Sequence, residues 1–92
     1  MTNEFETLKN FYFKEKHFLE YLQGRWVDEW EYEDEEEYEE VIKQKANKYD
    51  LFVSKVKLNY NNLSLKITFN FDNKRKGFIE LLQTKNKIYM KG

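Results

Sequence analysis

Apolar residues recur near the start of the chain at helical spacing. Phe5, Leu8, Phe11, Tyr12, Phe18, Leu19 and Leu22 fall within one broad arc at ~100° per residue, which predicts a helix over Glu4 to Gln23. Gly24 stands where such a helix would stop. A second group, Phe13, His17 and Tyr21, recurs every four residues on the opposite side. The helix is therefore expected to be wedged between the sheet and a neighbour; the sharper alternative is an exposed, partner-binding stripe.

Arg25 to Glu33 reads as a connector or short extended piece carrying Trp26, Val27, Trp30 and Tyr32. Asp34 can cap a second helix, with Glu37 at the third helical position as in a capping box. Tyr38, Val41, Ile42, Ala46 and Tyr49 supply its buried stripe, so this helix is placed from about Glu35 to Tyr49.

From Phe52 the period changes to two. Val56, Leu58 and Tyr60 alternate with Lys55, Lys57 and Asn59, and Leu63, Leu65, Ile67, Phe69 and Phe71 alternate with Ser64, Lys66, Thr68 and Asn70. Two half-buried strands follow, joined at Asn61-Asn62 by a turn that needs left-handed backbone. Asp72 to Gly77 makes the next turn. Phe78 to Gln83 reads as a third strand, although Glu80, Leu81 and Leu82 would sit as well in a helix, and Lys87 to Met90 can add an edge strand. The expected fold is α+β: one domain over residues 1–92, with two N-terminal helices packed on a three- to four-stranded antiparallel meander. Its core should set Val56, Leu58, Leu65, Ile67 and Phe69 against Leu8, Leu19, Val41 and Ile42.

Composition bounds what this fold can do. The 92 residues allow one core, and eight Phe, seven Tyr and two Trp can close it despite the small size. The absence of Cys removes disulfides, thiolate metal sites and cysteine nucleophiles, and fits a reducing compartment, so a cytoplasmic setting is expected. No apolar block of signal-peptide or membrane-span length is present, and no membrane association is expected.

Catalysis is not expected either. The single His17 and the two serines form no nucleophile and base pattern, and Gly24, Gly77 and Gly92 are too scattered for a phosphate loop. The acidic run lacks the turn-forming Gly of a calcium loop, so neither a metal nor another cofactor is implied.

The net charge of −1 conceals a sharp asymmetry. Met1 to Glu40 holds 14 acidic and 4 basic residues, and Val41 to Gly92 holds 3 acidic and 12 basic, so the halves carry −10 and +9. A dipole of this kind steers association with a charged partner. Its negative pole is the run D-E-W-E-Y-E-D-E-E-E-Y-E-E from Asp28 to Glu40, with ten carboxylates and no basic residue. If helical, the run carries about one charge per ~2 Å of axis, close to the ~1.7 Å spacing of duplex DNA. Trp30, Tyr32 and Tyr38 interleave rings of the type that anchor protein interfaces. The candidate partner-binding residues are Glu29, Trp30, Glu31, Tyr32, Glu33, Asp34, Glu35, Glu36, Glu37 and Glu40. The plainer alternative is a solvated, solubilising helix face.

The segment E-Y-E-D-E-E-E at Glu31 to Glu37, preceded by Trp30 and followed by Tyr38, resembles the acidic segment of small phage-encoded anti-CRISPR proteins that block the type II RNA-guided nuclease. The resemblance implies that Glu33, Asp34, Glu35, Glu36 and Glu37 imitate DNA in the basic pocket that reads the protospacer-adjacent motif. It also implies work inside a bacterial host.

The leading expectation is thus an inhibitor that mimics DNA and occludes the nucleic-acid groove of a larger basic protein, such as a CRISPR nuclease. The first alternative is an immunity protein or antitoxin that covers a basic partner without copying DNA. A second uses the Lys-rich half: Lys55, Lys57, Lys66, Lys74, Arg75, Lys76, Lys85, Lys87 and Lys91 could make the outer sheet face and its turns a nucleic-acid platform, or simply solvate the open face and protect the sheet edges. The alternation places the strand aromatics on the buried side, so direct nucleic-acid binding is not expected.

Overall fold

The computed structural model of the chain describes residues 4–28, 35–72 and 74–91. Two helices, α1 (Glu4–Asp28) and α2 (Glu35–Asn47), precede four strands, β1 (Phe52–Asn59), β2 (Ser64–Asn70), β3 (Lys76–Leu81) and β4 (Asn86–Lys91). The strands pair in sequence order as an antiparallel meander, β1-β2-β3-β4, so the α+β arrangement read from periodicity holds, with four strands. Both helices lie on one face of the sheet: α2 packs on β1, and α1 on β3 and β4.

The register explains which side is buried. Ile67 stands between Val56 and Ile79, Leu65 between Leu58 and Leu81, and Phe69 between Val53 and Gly77. These residues meet Leu8, Phe11, Leu19, Leu22 and Trp26 of α1 and Tyr38, Ile42 and Ala46 of α2 in one core. A bulge between Val53 and Lys55 lets Val53 and Val56 point to the same side, although they are an odd number of residues apart. Val41 is half-buried outside this core, because Tyr38, Ile42 and Ala46 define the inward stripe of α2 one position away from it.

Helix α1 does not stop at Gly24. It continues to Asp28, so Arg25 to Asp28 is helix rather than connector. The extra turn is held by tertiary contacts: Trp26 is fully buried, its ring lies 5.7 Å from that of Tyr60, and Gln23 Nε2 donates to Leu63 O at 3.0 Å. The same helix is kinked at Glu15, whose φ of −106° and ψ of 16° are not helical. It is also not wedged between two layers, since Phe13 and Tyr21 are 64% and 63% exposed.

The end of α2 is closed by a Schellman arrangement. Leu51 N–H reaches Ala46 O at 3.1 Å, Asp50 N–H reaches Asn47 O at 3.2 Å, and Asp50 sits in the left-handed region at φ 59°. The β1–β2 turn differs from expectation. The left-handed residue there is Leu63 (φ 52°), not an asparagine, while Asn59 Oδ1 accepts from Asn61 N–H at 2.9 Å. Tyr60 lies beyond β1 against Trp26 and is exposed rather than in the core.

The β2–β3 turn is tied to the start of α1 through Arg75, which pairs with Glu4 at 2.7 Å and with Asp72 at 2.8 Å. The backbone N–H groups of Lys74 and Arg75, followed by the Arg75 guanidinium, hold the Asp72 carboxyl below the usual carboxylate range.

Candidate functional site

Helix α2 presents the described part of the acidic run. Tyr38 (1% exposed), Ile42 and Ala46 fix its inward side, and at 100° per residue this turns Glu36, Glu37 and Glu40 outward together. All three are exposed. Glu35 falls on the Tyr38 side and is half-buried, so it does not share the outward group. Glu39 is also half-buried and accepts from Lys43 Nζ at 2.9 Å; that bond and the Glu39 charge raise the Lys43 pKa.

Three carboxylates in the first turn, Glu35, Glu36 and Glu37, sit where the amide end of the helix favours negative charge. Five carboxylates lie between Glu35 and Glu40, about one per ~2 Å of axis at helical rise. Of the other candidate residues, Glu29, Trp30, Glu31, Tyr32, Glu33 and Asp34 lie outside the described residues, as does the Asp34 cap. Asp28 ends α1 and is exposed. Tyr38 is removed from the set of partner anchors, because burial in the core leaves no ring face for a partner.

The sheet carries a second surface, the Lys-rich outer face that the alternation of the strands foreshadows. All six strand lysines, Lys55, Lys57, Lys66, Lys76, Lys87 and Lys91, fall on the face turned away from the helices. Lys57 faces Lys66, Lys66 faces Glu80, Glu80 faces Lys87, and Lys76 faces Lys91. Phe52, Phe78 and Tyr89 share that face, which corrects the placement of the strand aromatics on the buried side. Phe78 is 8% exposed, yet its cover comes from Tyr89 and Lys66 on the outer face and it stands outside the core cluster. The signal that would have found it is the shared parity of Lys76, Phe78 and Glu80, repeated in Lys87, Tyr89 and Lys91.

A polar cleft of about 220 Å³ lies between α1 and the β3–β4 turn and is lined by Glu20, Gln23, Lys85 and Asn86 among others. Two of its amides are engaged in structure: Gln23 Nε2 donates to Leu63 O, and Asn86 Nδ2 donates to Tyr12 Oη at 2.9 Å and to Glu20 Oε2 at 3.3 Å. Ser, Cys and His are absent from its lining. Among the described residues no group of three or more His, Asp or Glu side chains is placed to hold a metal ion, and no helix is long and apolar enough to cross a membrane.

The exposed carboxylates Glu36, Glu37 and Glu40 thus lie in the helix layer, and the strand lysines lie on the outer sheet face. Neither a protein-family model, nor a curated protein, nor a solved structure matches the chain.

Proposed function

We propose that this protein is an inhibitor that works inside a bacterial cell by laying its acidic strip, Asp28 to Glu40, into the basic nucleic-acid groove of a larger protein. The observation that carries this reading is the outward grouping of Glu36, Glu37 and Glu40 on a helix anchored from behind by Tyr38 and Ile42. A carboxylate row on a rigid helix copies the charge density of a nucleic-acid backbone without paying the entropy of ordering a tail on contact. The sequence of the strip and its resemblance to anti-CRISPR proteins make a type II RNA-guided nuclease the first partner to test.

Binding of this kind is salt-dependent, because charges on the two surfaces attract over a Debye length of ~8 Å at physiological ionic strength. The test is titration of the guide-loaded nuclease with the full chain, with a duplex carrying the recognition motif as competitor. We expect competition for one site, and loss of binding in the triple variant Glu36→Lys, Glu37→Lys, Glu40→Lys with the melting transition retained. Simultaneous binding of duplex and protein without loss of affinity would exclude mimicry and leave an immunity-type cover of a basic partner. A folded triple variant that binds as wild type would reduce the strip to a solvated face.

A further inference from the structure

The outer face of the sheet is a grid of directly paired residues. One row runs Lys57, Lys66, Glu80, Lys87; the next runs Lys55, Thr68, Phe78, Tyr89; the third runs Phe52, Asn70, Lys76, Lys91. Six lysines stand against one carboxylate, and among the described residues none of the six is in an ion pair. Like charges set directly opposite, as at Lys57 and Lys66 or Lys76 and Lys91, destabilise a sheet. Lys66 and Lys87 flank Glu80, but cross-strand stability does not favour setting Lys57 against Lys66 or Lys76 against Lys91.

The aromatic residues give this face more than charge. Tyr89 stacks on Phe78 with centroids 4.8 Å apart and planes 14° apart, and Lys66 Nζ stands 4.5 Å from the Phe78 centroid and 5.8 Å from that of Tyr89. One face of the Tyr89 ring is thus occupied by Phe78, while the residue remains 37% exposed. At the opposite edge of the sheet Phe52 is 72% exposed. Three inter-strand spacings separate these two rings, roughly 15 Å, with lysines between and beside them.

We propose that this face binds single-stranded nucleic acid, with a base stacked on the open side of Tyr89, a second stacking position at Phe52, and backbone phosphates paired with Lys55, Lys57, Lys66, Lys87 and Lys91. Cationic surfaces with interleaved rings hold single strands because every base offers a π face and every nucleotide a phosphate. A duplex hides its base faces in its own stack and gains only the charge contribution. The helix layer does not obstruct this face, and the exposed carboxylates of α2 lie on the other side of the sheet. The site is independent of the acidic-strip reading, and either can fail alone.

The experiment is fluorescence anisotropy of the full chain with labelled oligothymidylate and oligouridylate of about 15 nucleotides, and with a duplex of equal length, between about 50 and 200 mM salt. We expect single strands to bind more tightly than duplex. Tyr89→Leu, which keeps apolar cover over Phe78 but removes the stacking ring, should weaken single-strand binding about tenfold, and Tyr89→Phe should restore it. Phe52→Ser, at a position too exposed to carry the fold, should weaken binding in the same direction. Lys57→Gln with Lys87→Gln should lower the slope of log affinity against log salt by up to ~1.4. Glu37→Lys with Glu40→Lys should leave single-strand binding intact or strengthen it, which separates this site from the acidic strip. The proposal is overturned if no oligonucleotide binds at the lowest salt, or if duplex binds as tightly as single strands and neither Tyr89→Leu nor Phe52→Ser changes affinity.

Discussion

The Tyr49 hydroxyl donates to Glu15 Oε2 at 2.5 Å, joining the turn that ends α2 to the kink of α1. Lys45 Nζ approaches the other oxygen of the same carboxylate at 3.5 Å, and the Phe11 ring meets the Tyr49 ring edge-on at 5.2 Å. One carboxylate at the irregular residue of α1 thus gathers a phenol and an ammonium from the neighbouring helix.

This contact has a pH signature. Hydrogen bonding to Glu15, then burial, then the Glu15 charge raise the Tyr49 pKa above its ordinary value of 10.0. A raised pKa means that the folded state favours the neutral phenol, so the contribution is fully present below pH 10 and is lost as pH rises through the folded value. Thermal melts of the wild type and Tyr49→Phe should differ most near neutral pH and converge above pH ~10. A difference that stays constant across that range would separate Tyr49 from the alkaline transition.

Two glycines should respond in opposite directions. Gly24 lies inside α1, and a Cβ there meets nothing within 4 Å, so Gly24→Ala should stabilise the protein by about 0.5 to 1 kcal/mol through the backbone alone. At Gly77 a Cβ would come within 2.8 Å of Leu8 Cδ2 and of Phe71 Cε2, where α1 crosses β3. Gly77→Ala should therefore cost about 1 to 3 kcal/mol by overpacking. Urea denaturation of both variants measures the contrast.

Asp50 occupies the left-handed position of the α2 end at φ 59°, where a side chain is strained and glycine is not. Asp50→Gly should stabilise the fold by up to about 1 kcal/mol without altering the hydrogen bonds of Leu51 and Asp50 to the helix. A shift of the denaturation midpoint to higher urea with unchanged slope is the expected result.

Ile67 is fully buried at the centre of the sheet, between Val56 and Ile79. Ile67→Asp would place a carboxylate there without a partner, at a cost of several kcal/mol, comparable to the whole stability of a small domain. Circular dichroism should show an unfolded chain, and Thr68→Asp on the outer face of the same strand should remain folded.

Local pattern determined most of the architecture. The 3.6 period through Leu8, Phe11, Leu19 and Leu22, and the period of two through Val56, Leu58, Leu65, Ile67 and Phe69, each put one apolar side on an element, and burying those sides against one another leaves helices on one face of a meander. Part of the acidic surface was legible for the same reason: once Tyr38 and Ile42 point inward, Glu36, Glu37 and Glu40 must point out. Tertiary contact decided the rest. Gly24 carries a modest local helix penalty that burial of Trp26 outweighs, so α1 runs past it. Whether Phe13 and Tyr21 are covered depends on whether a second layer exists, and periodicity on one helix cannot count layers. The bulge before Lys55 and the pairing of Phe78 with Tyr89 arise between strands, and only when strands are in register does a lysine here and a ring there become one surface.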